Sequence, residues 1–158
     1  MFREVVRKKQ ELSEADCIAI LKHEVRGVLA VLGDDEYPYA VPTNYWYNKE
    51  DGKLYFHSGK SGHKIDAIKR HDKVSFCVYD SGTHKEGDWA LTFKSVIVFG
   101  RIELVEDYDF AMDIARRLSL KFTFDTDYIE HEVANYGAGT LVFALVPEHI
   151  TGKTIHEA

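Results

Sequence analysis

The run Phe56-His57-Ser58-Gly59-Lys60-Ser61-Gly62-His63-Lys64 gathers the side chains of this chain best suited to holding an anion. A strand-like stretch, Lys53 to Phe56, precedes it, and a short helical pattern of Ile65, Ile68 and Lys69 follows. A strand therefore empties into a glycine-containing turn that opens a helix. Glycine lets backbone N–H groups approach an anion closely, and the first helical turn carries a partial positive charge. Ser58, Ser61, His63 and Lys64 add side-chain donors on the same arc. The chemistry is that of a phosphate seat. On so short a stretch, a solvated turn with a chance helix cap is an equal reading.

Two further segments carry possible chemistry. In Ala40-Val41-Pro42-Thr43-Asn44-Tyr45-Trp46-Tyr47 a proline interrupts a strand pattern. Proline removes a ladder donor and belongs at a sheet edge or bulge, which frees backbone groups to face a planar ligand. Tyr45, Trp46 and Tyr47 either wall that ligand or fill a core, and alternation alone favours the core. Phe93 to Arg101 reads as a buried strand with ordinary flanking charge. His57 has a ring whose unperturbed pKa lies near neutrality, so it is a candidate proton donor or a structural hydrogen-bonding residue. No histidine falls in a metal-ligand spacing such as His-Glu-x-x-His, and no metal site is expected. Gly59-Lys60-Ser61 lacks the upstream glycine of a nucleotide-hydrolysing loop, and no Gly-x-Gly-x-x-Gly occurs.

The elements that must position these residues are legible in outline. Ser13 caps a helix to about His23, and Asp107 opens another to about Leu120. Residues Tyr128 to Asn135 form a short third pattern. Strands are expected at Gly27–Leu32, Tyr37–Tyr47, Leu54–Phe56, Val74–Tyr79, Ser95–Val105 and Thr140–Val146. Pro147 is expected to stop the last of these, leaving Ile150–Ile155 as a short edge strand. Asn48 to Gly52 marks a hairpin turn, and Asp80–Asp88 a polar excursion. Strands in mostly antiparallel order with helices between them favour a small β-barrel over a parallel βαβ sheet.

Composition narrows the function. A chain of 158 residues, 45% hydrophobic and 29% charged, is the size of a single domain (1–158) with a real core. A net charge of −6 argues against general nucleic-acid binding, which needs a clustered excess of Lys and Arg. Any bound anion is therefore small and locally held. Cys17 and Cys77 have no framework spacing and read as reduced thiols. The charged start and the short apolar runs favour a cytoplasmic protein without a membrane span.

In order and spacing, Val-Pro-x-x-Tyr (Val41 to Tyr45), Phe-His-Ser (Phe56 to Ser58), Gly-His-Lys (Gly62 to Lys64), Ser-Val-x-Val-Phe-Gly (Ser95 to Gly100) and Thr-Gly-Lys (Thr151 to Lys153) are all present. Together they resemble the FMN-binding split-barrel proteins related to pyridoxamine 5'-phosphate oxidase, nearest to the nitroimidazole-resistance-like flavoproteins. The resemblance runs from about Leu12 to Lys153. It implies an α+β fold, mainly β: a six-stranded antiparallel split β-barrel that pairs as a homodimer with FMN at the interface. It further implies that Val41, Pro42, Thr43, Asn44 and Tyr45, with Phe56, His57 and Ser58, contact the isoalloxazine and ribityl portions. Gly62, His63 and Lys64 would take the phosphate. Ser95 and Val96 would approach the flavin from the partner chain, and Lys153 would reach the site late. His57 and Lys153 are the candidates for a group near flavin N1.

The implied activity is an FMN-dependent oxidoreductase carrying electrons from NAD(P)H to a small organic acceptor such as a nitroaromatic, with His57 as the candidate catalytic residue. No Arg-rich second phosphate motif lies near the C-terminus, which argues against true pyridoxamine phosphate oxidase activity. A non-catalytic flavin-binding or sensing module, a split-barrel haem protein, and a deazaflavin in place of FMN remain open.

Overall fold

The computed structural model describes residues 1–157. Eight strands form one antiparallel sheet: β1 (Arg26–Leu32), β2 (Pro38–Asn44), β3 (Trp46–Tyr47), β4 (Leu54–Gly59), β5 (Lys73–Tyr79), β6 (Thr83–His84), β7 (Leu91–Val105) and β8 (Thr140–His156). The sheet order is β2-β1-β5-β7-β8-β4-β3, with β6 pairing onto β7. β3 and β6 are two residues each, so six strands carry the architecture. The curled sheet brings β2 back beside β4 without a ladder between them, and the barrel is split there.

Four helices decorate it: α1 (Glu14–His23), α2 (His63–Arg70), α3 (Tyr108–Ser119) and α4 (Thr126–Tyr136). Along the strands, period-two alternation sends Leu29, Val31, Phe76, Val78, Val96, Val98, Phe143 and Leu145 inward. Cys17, Ile20 and Leu21 of α1, with Ile65, Ala67 and Ile68 of α2, complete that core. A second cluster lies outside β4 and β8, where Tyr55, Val142 and Ala144 pack under Ala111, Met112 and Ile114 of α3. β4 is thus covered on both faces, which is why Leu54, Tyr55 and Phe56 are all apolar.

The proline readings divide. Pro42 lies in β2, the terminal strand of the sheet, as its missing donor requires. Pro147 does not end a strand. β8 runs through it as one strand of 17 residues, and Pro147 sits opposite Gly100 at a bulge between Phe99 and Gly100. The bulge relieves the proline of a ladder bond, and Gly100 is required there because a Cβ would strike the Val146 carbonyl. Residues 150–155 are therefore the far half of β8. They pair with β7, and on their free side the backbone is met by Glu11 and Leu12.

Among the described residues, the outer face of β2-β1-β5 and of the adjoining part of β7 and β8, around Ile97 and Thr151, carries no helix core. The register lines up Pro42, Val28, Cys77, Ile97 and Thr151 in one row, and Ala40, Ala30, Ser75, Phe99 and His149 in the next. Ile97, Phe99 and Tyr79 are exposed on this face, apart from Phe2, whose ring lies 5.5 Å from Phe99 and stacks on His149. Cys17 and Cys77 are free thiols. Among the described residues, no helix is long and apolar enough to cross a membrane.

Candidate functional site

Three helices begin in the usual way. Ser13 Oγ accepts from the Asp16 N–H, Asp107 from Phe110 N–H, and Asp125 from Tyr128 N–H. α2 begins differently. Its N-cap is Gly62, at φ +123°, and no side chain satisfies the N–H groups of the first turn. A Cβ at Gly62 would meet nothing, so the glycine answers to backbone conformation and leaves the approach to the helix open.

Lys64 follows one residue inside this opening. It is half-buried, and burial alone pushes its ammonium below the ordinary lysine value. A cation removed from water without a carboxylate beside it is costly, and an anion would relieve it. His57, at the end of β4, is coupled to it. Burial, then the Lys64 charge, hold the imidazole below its usual value, so the ring is neutral at pH 7. His57 opens onto a groove of about 290 Å³ between β4 and the α3–α4 pair, lined by Met112, Tyr128, Val133 and Tyr136.

His63 is already engaged. Its ring stacks on Tyr39 at 4.2 Å, and its Nε2 accepts from the Asp34 N–H at 3.2 Å. In the neutral ring that leaves the proton on Nδ1, which remains a donor. Asp34 in turn accepts from Arg70 at 2.7 Å. No sequence pattern announces this Tyr39–Asp34–Arg70 clasp, because its members lie on β2, on the β1–β2 turn and at the end of α2.

Several expected contact residues point inward. Tyr45, Phe56 and Val96 are each 0% exposed. The Tyr45 hydroxyl donates to the Leu21 carbonyl at 2.8 Å, and burial pushes its pKa upward. Phe56 stacks on Phe143 at 5.2 Å. Their rings do not wall a cleft; only their backbones can meet a ligand. Tyr47 is also core, while Trp46 is half-buried beneath Arg117. Val41, Thr43, Asn44 and Ser58 are partly exposed and Pro42 is exposed, on the strands that flank the split.

Ser95 and Lys153 form a separate group. They are cross-strand partners on β7 and β8. Phe56 pairs with Phe143, and the length of β8 from Phe143 to Lys153 is on the order of 30 Å of extended strand. Three strand spacings, about 14 Å, separate β7 from β2. Ser95 and Lys153 line a different cavity, of about 360 Å³, with Arg3 and Arg7. Among the described residues, no group of three or more His, Cys, Asp or Glu is placed to hold a metal ion.

The model of the pyridoxamine 5'-phosphate oxidase family matches residues 13–154. The chain belongs to that family, whose split barrel binds flavin. A FAD-binding protein from Mesorhizobium loti is 30% identical, with 92% of this chain and 97% of that one covered at a TM-score of 0.70. A conserved hypothetical protein from Mycobacterium tuberculosis superposes at 0.80 with 20% identity, over 95% of this chain and 90% of that one. A protein from Bacteroides thetaiotaomicron, designated for 5-nitroimidazole antibiotic resistance, superposes at 0.73 with 22% identity, over 92% and 87%. None of the curated proteins matches the sequence significantly.

Proposed function

We propose that the chain is an FMN-dependent oxidoreductase, acting as a homodimer, that passes electrons from a reduced nicotinamide to a small organic acceptor of the nitroaromatic kind. The observation that carries this reading is the open start of α2 beside a half-buried Lys64 that has no anionic partner among the described residues. A flavin mononucleotide ends in a phosphate of nearly two negative charges, and this donor set fits it: backbone N–H groups at a helix N-terminus, a lysine, and the Nδ1–H of His63.

Val41 to Asn44 and Ser58 would hold the ribityl chain and the ring edge, with Tyr45 and Phe56 contributing backbone alone. Two observations support a shared site. Ser95 and Lys153 line a cavity of their own on the β7–β8 ribbon, apart from the start of α2, as a site completed by two copies would have it. The helix-free outer face, with Ile97, Phe99 and Tyr79 exposed, offers a second copy an apolar surface. The names of the similar proteins favour flavin chemistry, and the nitroimidazole designation of one of them favours the acceptor class.

Bound flavin supplies the redox chemistry itself, and the chain supplies orientation and charge. His57 is neutral at pH 7, so it acts there as a hydrogen-bonding group, and a proton it delivers is first taken from solvent. An anion beside Lys64 offsets part of the charge that depresses His57 and makes it a better base.

The purified protein should show flavin absorption bands, where a haem Soret band would contradict the reading. Anaerobic oxidation of NADH or NADPH with a nitroaromatic acceptor should follow; flavin bands without turnover would leave a binding module. Lys64→Ala should weaken FMN binding by about 1.5–3 kcal/mol in a fluorescence titration. Unchanged affinity in a folded variant removes Lys64 from the site.

A further inference from the structure

The groove onto which His57 opens holds a charge that no other described residue balances. Two of its walls are α3 and α4, which Arg116 ties together by bonds of 2.6 and 3.1 Å to Glu130. Glu130 is therefore matched. Glu132, two residues further along α4, is half-buried and lines the groove, without an ion pair or side-chain hydrogen bond among the described residues. It is the single Asp, Glu, Lys or Arg of that lining. The hydroxyls of Ser119 and Thr140 also border the space, and they donate to the carbonyls of Ala115 and Tyr136.

Two more features draw a cation to this place. α4 ends here, at Tyr136, and its last turn carries no basic residue to offset the negative end of the helix dipole. Tyr128 and Tyr136 border the groove at 54% and 64% exposure, and a tyrosine ring attracts a cation laid over its face. The remaining wall is mostly apolar, with Met112, Ile129 and Val133. A bare inorganic cation has no use for such a wall. An ammonium attached to a flat ring uses both parts, and about 290 Å³ suits a compound of one ring. The Lys64 charge acts on His57, so the ammonium belongs with Glu132 and the uncharged part of the ring with the neutral imidazole.

We propose that this groove binds a small aromatic ammonium compound, with Glu132 and the faces of Tyr128 and Tyr136 on the cation and Met112 and Val133 against the ring. Binding of the cation stands on the groove alone. That the bound compound is also the electron acceptor rests on the oxidoreductase reading, whose acceptor it narrows to nitroaromatics bearing an amine.

Benzylamine is the probe, an ammonium at neutral pH. Benzyl alcohol has nearly the same shape without the charge, and benzoate carries the opposite one. In an NMR titration of the full chain, benzylamine should bind about fivefold or more tighter than benzyl alcohol, with benzoate weakest. It should also shift the His57 ring signals. Glu132→Gln should bring benzylamine and benzyl alcohol to the same affinity, and Tyr136→Leu should narrow the gap between them. Both residues lie outside the buried clusters, and an unchanged melting temperature checks that each variant is folded. Absence of benzylamine binding, equal affinity for the alcohol in the wild type, or a preference kept by folded Glu132→Gln overturns the proposal.

The acceptor role is read separately. KM for 4-nitrobenzylamine should fall below that for 4-nitrobenzyl alcohol, and Glu132→Gln should make the two equal. Turnover of both by the wild type at the same KM overturns the acceptor role. No turnover of either, with the benzylamine preference intact, overturns the oxidoreductase reading and leaves the groove a cation site.

Discussion

Phe56 and His57 are adjacent on β4, yet they serve different purposes. Phe56 is wholly enclosed between Phe143 and Phe76 in the barrel, whereas His57 opens onto the α3–α4 groove and feels the charge of Lys64. The same division runs through two other strand motifs: Tyr45 against Asn44, Val96 against Ser95. Each of these strand motifs interleaves a residue that holds the barrel with one left accessible, because a strand sends neighbours to opposite faces. A motif kept for binding therefore keeps part of the core with it.

Substitutions can break this comparison. Phe56→Ala should be the most damaging, costing about 3–5 kcal/mol of stability in denaturant unfolding through the cavity it leaves. A small loss there would mean that Phe56 belongs with the ligand-facing residues. Lys64→Ala should show the opposite pattern, weakened FMN binding with stability held or raised, since it removes a desolvated cation.

Asp107→Ala sharpens the contrast between capped and open helix starts. Loss of its bond to the Phe110 N–H, 2.7 Å long, should lower stability by about 1 kcal/mol while flavin affinity stays unchanged.

The smallest effect is a pH dependence. His57 is depressed from 6.5 in the fold, so as pH falls below about 6.5 the unfolded chain takes up the proton first. That contribution is full above this range and is lost as pH falls. The Lys64→Ala protein should show a shallower loss of melting temperature between about pH 7.5 and 5, and a His57 pKa raised toward its ordinary value by NMR. An unmoved His57 would mean that the two residues are not coupled.

Much of this was legible in the chain. Ser13 and Asp107 announced their helices, and Gly62-His63-Lys64 announced the start of α2. The inward turn of Phe56 was hidden because β4 is covered on both sides, so Leu54-Tyr55-Phe56 shows no alternation to read. The continuation of β8 through Pro147 depends on a bulge formed with Gly100, a partner remote in sequence. Arg3 and Arg7 went unmarked because no periodicity distinguishes the charged N-terminal run; only its docking on β7 and β8 makes them a pair.

Pro42 has a consequence beyond the site. β2 ends the sheet, and an edge strand with a full set of free donors invites strands of other molecules to add to it. The proline leaves a gap in that row, and a strand arriving at β2 would find its ladder broken halfway. An edge interrupted in this way is one of the devices by which sheet proteins resist edge-to-edge pairing.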